Sequence, residues 1–114
     1  MHEKLVGHLR DVLGLSPDEI PAFYATFLKT VSGCVEQLRG AAAGPDYTAI
    51  RAATHTLMGF SRNVGAADLG DAALALNGAA HAADPAACAI GIREIEALYR
   101  KYDGEGDAGR DDAR

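Results

Sequence analysis

The chain has no tryptophan and few aromatic residues of any kind, so aliphatic and small side chains must build its core. Only two cysteines occur, Cys34 and Cys88, far apart in sequence. They read as free core thiols in a reducing compartment, not as a disulfide framework. No apolar run reaches the length that spans a bilayer. No apolar stretch follows a basic start either, so neither signal peptide nor membrane segment is expected, and the reading is cytoplasmic. Cationic excess is also missing. The net charge is -5, which argues against a nucleic-acid partner. Alternation of apolar and polar residues at period two is absent, so no strand is expected. No Glu-x-x-His pair occurs and the four histidines are scattered, which argues against a di-iron bundle; no metal site is expected. No ATP-binding kinase motif is present.

What the chain does have is alanine, glycine and helical punctuation. Its 114 residues, 48% of them hydrophobic, suit one compact domain. Alanine favours helix, and small side chains let helices approach closely. Residues 103–114 carry five acids and two arginines among glycines and no apolar face. That stretch reads as a disordered acidic tail of net charge -3, leaving -2 for a domain over residues 1–102.

Five helices are expected. The first covers Glu3 to Leu13, with Leu5, Leu9, Val12 and Leu13 on one face and Gly14 closing it. Ser16-Pro17-Asp18-Glu19 is a capping box with Pro in the first turn, and opens a helix that runs to about Arg39. In it Ile20, Phe23, Tyr24, Phe27, Leu28, Val31, Val35 and Leu38 form a broad apolar stripe. Pro45-Asp46 opens the third helix, which reaches about Asn63 before Gly65 breaks it. The fourth runs from about Ala66 to Ala83, with Leu69, Ala73, Leu76 and Ala80 inward. Asp84-Pro85 opens the fifth, which runs to about Tyr102. Short connections between long amphipathic helices imply an all-α, antiparallel, up-and-down four-helix bundle with a short leading helix.

The third helix carries the unusual residue. At about 100° per residue, Ile50, Ala53, Thr54, Leu57, Ser61 and Val64 share the core side. Arg51, His55, Met58 and Arg62 cluster opposite, with Gly59 beside them. His55 is therefore expected to be exposed. Imidazole populates its neutral, nucleophilic form near neutral pH, so it can accept a phosphoryl group and give it up. Arg51 and Arg62, one and two turns away, can screen that charge. Gly59 leaves room for the ring and for a partner, at a helix cost of about 1 kcal/mol against Ala. Counting back from the Val64-Gly65 turn brings Asn77 to His81, on the fourth helix, near the level of His55. Asn77 there can hydrogen-bond the ring or a phosphoryl group, and His81 can add a polar contact. His2 and His8 show no partner pattern.

His55, Gly59, Gly65-Ala66, Leu69, Ala73 and Leu76 stand in the order of a family motif. The stretch from Ala53 to Asn77 resembles the histidine-containing phosphotransfer (HPt) domain of two-component phosphorelays, and the likeness extends more loosely over residues 5–102. The resemblance implies that His55 is the phosphoacceptor. It would take the group from a histidine kinase or from a receiver-domain aspartate and pass it to a response-regulator aspartate. The partner receiver would bring Mg²⁺, and this chain would need no cofactor of its own. A monomer suits such a shuttle. Two positions depart from the family pattern. Met58 stands where the family usually has Lys, and Met cannot donate to a phosphoryl group. Arg62, one turn further on the same stripe, is placed to compensate. Phe60 replaces a usually small residue, and either fills a core gap or widens the docking face. The loss of the Lys leaves an alternative: a non-catalytic docking module that binds a kinase or receiver as inhibitor or scaffold.

Overall fold

The computed structural model describes residues 2–106. Five helices follow one another: α1 (Glu3–Asp11), α2 (Ile20–Ala42), α3 (Tyr47–Val64), α4 (Ala67–His81) and α5 (Pro85–Gly106). Among the described residues there is no strand. The four long helices close a ring in which α2 touches α3, α3 touches α4, α4 touches α5 and α5 returns to α2. Helix α1 lies across α2 and α3. This is the expected up-and-down four-helix bundle with a short leading helix.

Local chemistry sets the boundaries. Asp46 caps α3 by accepting from the Ala49 N–H at 3.0 Å, and Asp84 caps α5 by accepting from the Ala87 N–H at 3.1 Å. The Ser16–Glu19 capping box forms in both directions, at 2.8 and 3.3 Å. It closes a turn ahead of α2, whose regular part begins at Ile20. Helix α2 also continues past Arg39 to Ala42, because Ala41 and Ala42 are good helix formers; the chain turns at Gly44.

Helix α1 ends two residues earlier than its apolar pattern suggests. Val12 and Leu13 are 67% and 42% exposed, not part of the buried face. At Gly14 the backbone takes a positive φ of 70°, and the Leu15 N–H reaches back to the Leu9 carbonyl. This turn places Leu15 against the core in their stead. At the other end, α5 runs four residues past Tyr102, so residues 103–106 are helical. Residues 107–114, the rest of the expected tail, lie outside the described residues.

The core is centred on Phe27. Its ring meets Tyr24 and Tyr102 edge-on, at 5.8 and 5.3 Å, and stacks on Phe60 at 5.8 Å. Phe60 is half-buried and packs inward, so it fills the core beneath α3. Helix α4 contributes Ala72, Ala73 and Ala80 where larger residues would hold helices apart. Cys34 and Cys88 are buried and unpaired. Burial raises both thiols above their ordinary range, and Asp84 adds to the effect at Cys88. No helix among the described residues is long and apolar enough to cross a membrane.

Candidate functional site

The inward set of α3 is Ile50, Ala53, Thr54, Leu57, Ser61 and Val64, which leaves His55 on the outer side and exposed. Helix α4 packs alongside and supplies one wall of an open groove of ≈ 610 Å³. Thr48, Arg51, Ala52, His55, Met58 and Asn77 line it. The structure thus brings four of the residues singled out from sequence onto one surface: Arg51, His55, Met58 and Asn77. None of the six lining residues is acidic, although the chain as a whole carries a net charge of -5. The groove therefore offers an anion a cation and polar groups without a competing carboxylate.

Arg51 is the cation of this groove. It is exposed and has no ion-pair partner among the described residues, so its guanidinium is available. It sits one helical turn before His55, about 6 Å along the axis. Arg62 is also exposed, but it lies about 10 Å along α3 from His55 and does not line the groove. Its place in the last turn of α3 suits the negative end of the helix dipole. The same stripe thus holds two arginines, and only one shares a wall with the histidine.

Met58 is half-buried and packs against the core, so it adds apolar wall and no donor. Gly59 is exposed, and a Cβ built there meets nothing within 4 Å. Nothing inside the bundle requires glycine at this point. Gly59→Ala is expected to stabilise the helix by about 0.5–1 kcal/mol, read from a urea melt.

A side-chain contact ties α3 to α4 at the level of the groove. Thr54 Oγ1 lies 3.1 Å from Asn77 Oδ1 and 2.9 Å from the Arg51 carbonyl oxygen. This sets Asn77 level with His55, as counting from the turn suggests. In the same antiparallel register His81 is level with Ile50, about one turn away. His81 is exposed and does not line the groove. Thr54 is the site-linked residue that sequence reasoning left in the core. Helical phase places it inward correctly, but its bond to Asn77 depends on where the neighbouring helix lies.

The other histidines are structural. The His2 side chain accepts from the Leu5 N–H at the start of α1, and its ring packs on Tyr102 at 4.5 Å. His8 lies directly against Gly65, the turn after α3. The described residues hold no group of three or more His, Cys, Asp or Glu side chains placed to bind a metal.

The Hpt domain family matches the chain over residues 22–103, from α2 to the last turns of α5. The chain belongs to the Hpt domain family, whose members act in histidine phosphotransfer within two-component phosphorelays. No curated protein and no solved structure matched it.

Proposed function

We propose that His55 is the phosphoryl carrier of this domain. The observation that supports the reading best is an exposed imidazole on a groove that contains Arg51 and Asn77 and no acid. A phosphoryl group has acceptor oxygens and negative charge, and such a groove suits both. In uptake, the lone pair of a ring nitrogen forms the P–N bond. The bond from phosphorus to the donor breaks, P–O at a receiver's aspartate or P–N at a kinase's histidine, and its electron pair leaves with that carboxylate or imidazole. Delivery to a second receiver runs the same exchange in reverse. The receiver would hold the Mg²⁺ that balances charge in both directions, while this chain supplies a positioned nucleophile and a docking face. The partners in this reading are a histidine kinase or receiver as donor and a response-regulator receiver as acceptor, met by a monomer in the cytoplasm.

Met58 favours a second reading, a docking module that binds such partners without carrying phosphate. One experiment separates the two. A cognate receiver or kinase is phosphorylated and mixed with this protein, which is then assayed for acid-labile, base-stable label. Label on the protein supports the carrier. Binding without label, from every partner that binds, supports the docking module.

Because Arg51 lines the groove beside His55 and Arg62 does not, Arg51 is the better candidate for the compensating cation. Arg51→Ala is expected to shorten the lifetime of the phosphorylated form, or slow transfer, by about two- to five-fold, the size of one solvent-exposed charged hydrogen bond. Arg62→Ala is expected to have the smaller effect. Lifetimes measured side by side check the order, and a larger effect at Arg62 would return the role to that residue.

A further inference from the structure

Thr54 is fully buried on the core side of α3, yet its hydroxyl connects to the groove. A helical Thr commonly satisfies its hydroxyl on its own backbone, and the Arg51 carbonyl at 2.9 Å would serve. The second contact, at 3.1 Å, crosses to α4 and ends on the oxygen of Asn77. That side chain is half-buried and lines the groove beside His55.

The two ends of an Asn amide are chemical opposites, one accepting and one donating twice. A phosphoryl group presents acceptor oxygens. Asn77 therefore attracts such a group only if its nitrogen faces the groove; with the oxygen there it repels. Thr54 has a single proton to give. The Arg51 carbonyl sits within the α3 ladder, where the His55 backbone N–H is its regular donor. The Asn77 oxygen has the Thr54 hydroxyl as its donor among the described residues. The proton is worth more on Asn77, because an unsatisfied half-buried acceptor is costly.

On the reading of His55 as phosphoryl carrier, we propose that Thr54 is a positioning residue, whose hydroxyl holds the Asn77 oxygen against α3 and turns the Asn77 NH₂ toward a phosphoryl group on His55. Thr54 touches no reacting atom and acts through Asn77. Valine at this position keeps the shape of the side chain and removes the donor, and serine keeps the donor.

The test compares wild type, Thr54→Val, Thr54→Ser, Asn77→Ala and the Thr54→Val/Asn77→Ala double variant. Phosphohistidine half-life and the rate of transfer to a receiver domain are measured alongside the thermal melt. Thr54→Val is expected to lower half-life or rate about five-fold, the size of one well-placed hydrogen bond, and Thr54→Ser to restore it. In the Asn77→Ala background Thr54→Val should change neither quantity further. Equal values for Thr54→Val and wild type would overturn the proposal. So would an equal loss in the Asn77→Ala background, which would mean that Thr54 acts through packing. A second readout needs no label. The NMR order parameter of the Asn77 side-chain NH₂, in the unphosphorylated protein, should be high in wild type and Thr54→Ser and lower in Thr54→Val. Unchanged order in Thr54→Val contradicts the positioning role. A wild-type protein that takes no label from any partner contradicts the carrier reading instead.

Discussion

Replacing His55 with Gln is expected to abolish phosphoryl uptake and leave the bundle folded. The side chain is exposed on the outer face of α3, so its loss removes no core packing. Surface substitutions of this kind usually change stability by no more than about 0.5 kcal/mol. Gln fits the same face, is a good helix former and has an amide in place of the imidazole. An amide nitrogen has no lone pair free to form the P–N bond, so the effect on chemistry is complete where the effect on folding is slight. The check is acid-labile, base-stable label on wild type and variant at equal concentration, with circular dichroism of both. Label that persists in His55→Gln would remove the assignment from this residue.

Gly65→Ala is expected to cost about 2–4 kcal/mol of stability. Gly65 has a φ of 81°, in the left-handed region, and its N–H returns to the Ser61 carbonyl to close α3. The Ala66 N–H reaches the same oxygen at 2.9 Å. An L side chain in that conformation costs about 1–2 kcal/mol. Here the cost is compounded, because a Cβ at Gly65 would lie 2.7 Å from His8 Nδ1 and 2.8 Å from His8 Cδ2, with Cγ between them. The His8 side chain or helix α1 would have to shift for the new methyl to fit. A urea melt gives the total. Repeating it in a His8→Ala background removes the contact and keeps the strained φ, so about half the loss should remain. A loss below about 0.5 kcal/mol in the single variant would contradict this account of the turn. The consequence reaches the site, because this turn sets the register in which Asn77 stands level with His55.

The two variants draw on features of different legibility. His55 on the outer face follows from helical phase alone, since α3 is 18 residues long and its inward set repeats cleanly. Gly65, Asp46 and Asp84 are equally readable, because caps and left-handed turns are local chemistry. The end of α1 is not local. Val12 and Leu13 continue the apolar period, but the positive φ at Gly14 brings Leu15 inward in their place. The pairing of Gly65 with His8 is equally hidden, because it joins residues far apart in sequence.

The site divides in the same way. Periodicity puts Arg51, His55, Met58 and Arg62 on one stripe, but a stripe has no walls. Only the position of α4 shows that Arg51, Met58 and Asn77 share a groove with His55 while Arg62 and His81 stay outside it. Thr54 makes the point most sharply. Its burial is plain from phase, yet its hydrogen bond depends on the α3–α4 register, which no single helix encodes.

The central claim is that a phosphoryl group resides on the imidazole of His55. The most direct measurement is to charge the wild-type protein from a phosphorylated receiver domain and map the modified residue, by mass spectrometry under basic conditions with fragmentation that preserves P–N bonds. The account predicts the phosphoryl group on His55, and its disappearance when an unphosphorylated second receiver is added. A phosphoryl group mapped to any other residue, or one on His55 that no receiver can remove, would contradict it.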